Sequence, residues 1–107
     1  MAADPSYVEL GVPDIDAAHA FYGALFGWVP EGPGQVQTGT LPVGMHGGDP
    51  NAHFEVFFTV DDLGASLARV VELGGSAVGE VHDEGAFGRW SECQDDQGVR
   101  FGLRQLP

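Results

Sequence analysis

Residues 12–28 read VPDIDAAHAFYGALFGW, and residues 60–75 read VDDLGASLARVVELGG. In both stretches a valine leads into aspartates, which are followed by apolar residues three and four positions apart. A short carboxylate at that point can cap a helix, because it accepts hydrogen bonds from the free N–H groups of the first turn. The spacing predicts amphipathic helices over residues 15–26 and 63–73, each ended by glycine.

The two stretches also align with each other. A shift of 48 places Val12, Asp14, Ala17, Ala20, Leu25 and Gly27 on Val60, Asp62, Ala65, Ala68, Leu73 and Gly75, which makes six identities in sixteen positions. The valine, the cap and the helix end fall in the same order in both copies. This agreement indicates an internal duplication.

Strands are predicted around both helices. Residues 6–12 alternate, with Val8 and Leu10 on one face and Tyr7 and Glu9 on the other, and residues 54–60 repeat the pattern. Shorter strands are predicted near residues 35–40, 43–46, 76–81, 89–94 and 99–104. A turn at 95–98 joins the last two. Each half is thus a strand, a helix and further strands, which predicts an α+β fold.

Composition excludes several classes of protein. The 107 residues suit one domain, and the net charge of −12 argues against nucleic acid and anionic membranes as partners. Glycine and proline together exceed a fifth of the chain, which favours short elements. One cysteine cannot form an internal disulfide, and no apolar run resembles a signal peptide or a membrane span. We therefore expect a cytoplasmic protein.

Several motifs resemble the vicinal oxygen chelate superfamily, which includes glyoxalase I, extradiol dioxygenases and bleomycin-binding proteins. The resemblance lies in Val12-Pro13-Asp14, Phe21-Tyr22, Leu25-Phe26-Gly27-Trp28, Gly88-Arg89-Trp90, Asp95-Asp96-Gln97-Gly98 and Phe101-Gly102-Leu103. It implies a single domain over residues 1–107, with module one at about 5–50 and module two at about 53–106. The expected architecture is two βαβββ modules whose curved mixed sheets form a cup, with one helix on the outer face of each.

The resemblance also implies where metal ligands would lie. The family's ligand positions fall on Tyr7, Glu55, Gly102 and a residue near Met45. Tyrosine, glutamate and glycine do not make a divalent site, which needs about three His or carboxylate ligands. We therefore expect no metal and no cofactor. An unconventional site built from Glu9, His46 and His53 is the alternative.

The face opposite the apolar stripe is predicted to bind a ligand. It carries Tyr7 and Glu9 on the first strand, and Glu55 and Phe57 on the repeat's first strand. An exposed Phe57 beside carboxylates would suit a cationic or flat apolar molecule. The alternative is that this face packs against the other module or a second copy.

Three further residues complete the predicted binding set. Arg100 and Arg104 share a face with Gly102, where they could hold an anion or pair with Glu9, Glu55 or surface acids. Trp90 is expected at the rim of the cavity. The predicted substrate-binding residues are Tyr7, Glu9, Glu55, Phe57, Trp90, Arg100 and Arg104.

The leading functional prediction is a small-molecule-binding protein without the family's metal site that sequesters an antibiotic or metabolite. It is expected to form a homodimer. The alternative is a lyase, isomerase or dioxygenase-like enzyme that uses a non-standard metal site or Glu9, Glu55 and Tyr7 as acid–base groups. A structural role, with the cup filled by the protein's own side chains, is the third hypothesis. Whether any reaction is catalysed stays open.

Overall fold

The computed structural model describes residues 2–107. Its order of one strand, one helix and several further strands, repeated once, agrees with the sequence prediction. The helices are α1 (Ile15–Phe26) and α2 (Leu63–Glu72). The strands are β1 (Pro5–Gly11), β2 (Val29–Pro30), β3 (Gln35–Gln37), β4 (Val43–His46), β5 (His53–Thr59), β6 (Ser76–Ala77), β7 (His82–Asp83), β8 (Arg89–Gln94) and β9 (Arg100–Gln105). The predicted α+β class is confirmed. The chain divides into an N-terminal unit, Ser6–Glu55, and a C-terminal unit, Val56–Pro107 with the residues before Ser6.

The N-terminal unit has the strand order β2-β3-β4-β1, in which β1 and β4 are parallel and the other pairs are antiparallel. Asp14 caps α1 by accepting a 3.1 Å hydrogen bond from the Ala17 N–H, and Gly27 ends it at φ 72°, where glycine is favoured. The core residues are Leu10, Ala18, Val36, Val43 and Met45. Because Leu10 faces this core, Tyr7 and Glu9 lie on the opposite face of β1.

The C-terminal unit repeats this plan. Its strand order is β5-β9-β8-β6, with β7 also paired to β8, and β5 and β9 are parallel. Asp62 caps α2 by accepting a 3.0 Å hydrogen bond from the Ala65 N–H. Leu63, Cys93 and Leu103 form the core beneath α2. Each unit is therefore a βαβββ module, with β7 as an addition to the second.

Some element bounds differ from the prediction. The strand expected at 35–40 ends at Gln37, since the Thr38 hydroxyl donates a 2.6 Å hydrogen bond to the Leu41 carbonyl and turns the chain. The strand expected at 76–81 is only Ser76–Ala77. Residues 82–83, which lie outside every predicted strand, pair with β8 as β7. Within the described part of the chain, no helix is long and apolar enough to cross a membrane.

Candidate functional site

A carboxylate–histidine network, formed by Tyr7, Glu9, His46 and Asp49, lies in the N-terminal unit. The Tyr7 hydroxyl donates a hydrogen bond to Oε1 of Glu9, and Oε2 of Glu9 lies 2.6 Å from Nδ1 of His46. The other ring nitrogen of His46 lies 3.0 Å from Oδ2 of Asp49. His53 extends the network, with its Nδ1 3.9 Å from the same Asp49 oxygen. The parallel pairing of β1 with β4 brings together residues that are 37 positions apart.

Two glycines make room for this network. Gly44 pairs with Glu9, and a Cβ at Gly44 would overlap the Tyr7 hydroxyl and the Glu9 carboxylate. Gly11 pairs with His46, and a Cβ there would lie 2.6 Å from both Nε2 of His46 and Oδ2 of Asp49. Such separations are far below van der Waals contact. The network therefore depends on glycine at both positions.

Hydrogen bonding sets the charge of the network. The hydrogen bonds to Glu9 and then to Asp49 raise the pKa of His46 above 6.5, against a smaller opposing effect of burial. The hydrogen bond to His46 and that from the Asn51 N–H lower the pKa of Asp49. Both contacts favour the imidazolium form of His46, which can donate one N–H to each carboxylate. Both oxygens of Glu9 already accept a hydrogen bond.

The C-terminal unit carries an aromatic layer on the sheet face that points away from α2. Phe57 is paired with Gly102, and a Cβ at Gly102 would overlap the Phe57 ring. That ring also meets Phe87 and Trp90 edge-on, with centroid distances of 6.3 and 5.7 Å. Phe57 is only 4% exposed, so the expectation of an exposed aromatic there is wrong. The glycine and the neighbouring rings enclose it.

Trp90 lies at the outer edge of this layer. Its indole ring stacks on His82 of β7, with a centroid distance of 4.1 Å and an interplanar angle of 20°. The pairing of His82 with Trp90 across the two strands places the rings face to face. His82 is exposed even with this contact.

The two predicted arginines have partners within the C-terminal unit. Arg100 donates a hydrogen bond to Oε2 of Glu92, 2.5 Å away. Arg104 donates through Nε to the Phe87 carbonyl at 2.7 Å, and its guanidinium carbon lies 4.0 Å above the Phe87 ring. Both contacts position the guanidinium groups beside the aromatic layer.

Sequence reasoning missed Glu92 and Asp49. The predicted binding set contains Glu9 and Glu55 but not Glu92, which pairs with Gly102 and shares the face of Phe57. Strand alternation from Trp90 could have found Glu92, because residues two apart on a strand share a face. Asp49 follows β4 in a loop, where periodicity carries no signal.

The residues at the family's ligand positions do not fit a divalent metal. The Tyr7 hydroxyl is bonded to Glu9, Glu55 is 3% exposed, and the Phe57 ring fills the space a side chain at Gly102 would need. Met45 faces the core, so it cannot supply the remaining ligand. Across residues 2–107, no three His, Cys, Asp or Glu side chains are arranged to hold a metal ion.

A cavity that the sequence did not reveal lies on the helix side of the N-terminal unit. Its volume is about 530 Å³. It is lined by Val8, Tyr22, Phe26, Trp28, Thr38, Thr40, Leu41, Val43 and Phe54, none of which is charged. Val8 lies on the opposite face of β1 from Tyr7 and Glu9, so this aromatic pocket is separate from the carboxylate–histidine network.

Two curated proteins are similar to this chain in sequence. CFP32 of Mycobacterium tuberculosis, provisionally named a glyoxylase, is 34% identical over 118 residues, which cover 94% of this chain and 45% of that protein. The anthracycline biosynthesis protein DnrV of Streptomyces peucetius is 34% identical over 113 residues, covering 94% of this chain and 40% of that protein. The chain thus spans less than half the length of these relatives.

A solved structure shows the same fold. The methylmalonyl-CoA epimerase of Mycobacterium tuberculosis superposes with a TM-score of 0.65 at 17% identity, covering 96% of this chain and 87% of that one. The family model of the glyoxalase-like domain matches residues 7–104. The resemblance inferred from the sequence motifs is therefore confirmed, and the chain belongs to the glyoxalase-like domain family.

Proposed function

We propose that this protein binds a small molecule without a metal ion and sequesters it. The observation that carries the proposal is the Phe57 ring packed against Gly102. In the predicted alignment Gly102 stands at a metal-ligand position, and the ring takes the space that a ligating side chain would need. Without metal-ligating side chains, the site has no metal ion to act as a Lewis acid. The βαβββ scaffold remains, and binding sites can change while the fold stays the same.

Charge and aromatic surface support a cationic aromatic ligand. The carboxylates of Glu9 and Asp49 are partly exposed, and the chain as a whole carries −12. Tyr7, which donates a hydrogen bond to Glu9, supplies ring surface beside these carboxylates. Anthracyclines are planar polycyclic molecules that often bear an amino sugar, and DnrV takes its name from anthracycline biosynthesis. An anthracycline with an amino sugar therefore combines a positive charge with a flat aromatic surface.

Acid–base catalysis has less support. Glu9 would have to break a hydrogen bond from Tyr7 or His46 before it could accept a proton from a substrate. Glu55 is buried, which limits its access to a substrate. The proposal includes a homodimer in the cytoplasm, which follows from the small size of the domain and its lack of an internal disulfide.

The test is binding of doxorubicin, a cationic anthracycline, and of its uncharged aglycone to protein dialysed against a chelator. We expect doxorubicin to raise the melting temperature and to quench tryptophan fluorescence, with no added effect of zinc, nickel or manganese. Glu9→Gln should weaken the binding of doxorubicin more than the binding of the aglycone. Asp83→Asn, which changes a control acid on β7, should leave the binding of both compounds unchanged. Stoichiometric metal by elemental analysis, or no binding of either compound, would overturn the proposal.

A further inference from the structure

The aromatic pocket of the N-terminal unit has the size and the lining of a small-molecule site. Its volume of about 530 Å³ lies within the range of roughly 300–1,000 Å³ that is usual for ligand pockets. Val8 and Val43, which pair across β1 and β4, contribute its sheet side. Rings of α1 and of the residue just after it, Tyr22, Phe26 and Trp28, contribute the other side. A hollow between a sheet and a group of rings fits a compact apolar molecule.

The walls of the pocket are held in place by contacts within the unit. The Tyr22 ring stacks on Phe26 and on Trp28, with centroid distances of 5.7 and 5.3 Å, and meets Phe54 edge-on at 5.9 Å. The loop that completes the lining is fixed as well, because the Thr38 hydroxyl donates to the Leu41 carbonyl at 2.6 Å. A ligand therefore meets a preformed site and loses little affinity to ordering it.

The internal duplication shows that the fold does not need these rings. At the shift of 48, Tyr22 and Phe26 correspond to Val70 and Gly74 of the C-terminal unit, which builds the same module without a ring at either position. Val70 packs against the core there. In the N-terminal unit, by contrast, Phe26 is 56% exposed and Phe54 50% exposed beside the pocket. A bound molecule would remove this aromatic surface from water, which favours binding.

We propose that the aromatic pocket is a second ligand site, which binds a neutral, flat aromatic molecule. No charged side chain lines the pocket, and its side-chain polar groups are hydroxyls and the Trp28 indole N–H. A charged ligand would lose its hydration there without gaining a partner, even in a chain of −12. Flat rings suit walls that themselves stack. Because Val8 and Glu9 lie on opposite faces of β1, this site is separate from the carboxylate–histidine network.

The test is calorimetric titration with three naphthalene probes that differ only in charge. They are the neutral 2-naphthalenemethanol, the cationic 2-naphthylmethylamine and the anionic 2-naphthoate. We expect the alcohol to bind one molecule per chain with a dissociation constant of about 0.1 mM. Both charged probes should displace it at least about 10-fold less effectively. Displacement is measured because the amine can also bind at the carboxylate–histidine network, where it would leave the alcohol in place. No heat with the alcohol, or equal displacement by a charged probe, would overturn the inference.

Two matched variants locate the bound alcohol. Phe26 and Phe21 are both exposed on α1, and both contact Tyr22, with centroid distances of 5.7 and 5.2 Å, but only Phe26 lines the pocket. Phe26→Ala should weaken binding of the alcohol about 10-fold and Phe21→Ala less than about 2-fold. Circular dichroism checks folding. If Phe26→Ala does not fold, Thr40→Trp, which fills the hollow from its exposed rim, replaces it and should abolish binding. Equal affinities of the two variants would overturn the inference.

Light scattering during the titration distinguishes a small molecule from a second copy as the occupant. A protein mass that halves as the alcohol saturates would show that another chain normally fills the pocket, and would overturn the inference. The outcome is also separable from the proposed function. Doxorubicin binding that weakens in Glu9→Gln but not in Phe26→Ala leaves the proposed function intact if the pocket binds nothing. Binding of the alcohol without binding of doxorubicin would count against the proposed function alone.

Discussion

The Phe57 side chain occupies the space that a side chain at residue 102 would need. The ring lies where a side chain at residue 102 would extend, and Phe87 and Trp90 hold it there. Even a methyl group at residue 102 would force the ring to move. The packing of Phe57 therefore excludes a side chain at residue 102, where the family resemblance implies a metal ligand.

We predict that Gly102→Ala destabilises the protein by about 1–3 kcal/mol, the usual cost of overpacking a close contact. The control is Gly79→Ala, because a Cβ at Gly79 meets no atom within 4 Å. That change should alter the free energy of unfolding by less than about 0.5 kcal/mol. Urea denaturation measures both, and equal stability of the two variants would show that Phe57 does not restrict residue 102.

His46 makes stability depend on pH. Its pKa is raised in the folded state by Glu9 and Asp49, so its contribution is complete below about pH 6.5 and is lost as the pH rises through the folded pKa. The stability gap between the wild type and His46→Gln should therefore be wider at about pH 5.5 than at about pH 8.5. Partial exposure limits that gap to about 1 kcal/mol or less.

The control for this pH dependence is His19→Gln. A ring nitrogen of His19 lies 3.3 Å from the Pro33 carbonyl oxygen, which does not titrate. Denaturant midpoints at the two pH values measure the stability gap for both variants. A gap for His46→Gln that widens with rising pH would contradict the charge state we assign to the network.

The capping aspartates make the two helices begin at equivalent points. Asp14 and Asp62 each accept a hydrogen bond from the N–H three residues later, at 3.1 and 3.0 Å. This geometry satisfies a free N–H group and places a negative charge at the positive end of the helix dipole. The caps are therefore the part of the duplication with a direct energetic role.

We predict that Asp62→Ala destabilises the protein by about 1 kcal/mol. Asp61→Ala is the matched control, because it removes the same charge one residue earlier without removing the cap. In a chain with a net charge of −12, removing an acid should by itself reduce charge repulsion and stabilise the protein. A loss of stability therefore indicates loss of the cap, whereas a gain indicates loss of the charge. Thermal melts of both variants measure it, and an Asp62→Ala protein as stable as the control would argue against the cap.

The net negative charge opposes the association of two copies of the molecule. Each copy carries −12, and salt screens the repulsion between copies over a Debye length of about 10 Å at 0.1 M. An apolar interface is itself little weakened by moderate salt. We predict that the dissociation constant of the proposed homodimer falls several-fold between about 20 and about 300 mM sodium chloride. Sedimentation equilibrium at the two concentrations measures it, and a dimer that weakens with salt would indicate an interface built on ion pairs.

Helix α1, strand β4, both caps and the family could be inferred from sequence, because each rests on residues close together in the chain. Strand alternation also placed Tyr7 and Glu9 correctly on the face opposite the core. These are local properties: the period of a helix or strand and the capping chemistry of a short carboxylate depend on neighbours a few positions away.

Tertiary structure alone decided what occupies the space above each face. Glu9 and His46 meet because β1 and β4 pair in parallel register, and Phe57 is buried because Gly102 of a distant strand leaves it room. The aromatic pocket likewise combines residues from α1, β4 and β5. Periodicity identifies the face on which a side chain lies, but volume and contact between remote segments determine whether that side chain is exposed, paired or enclosed.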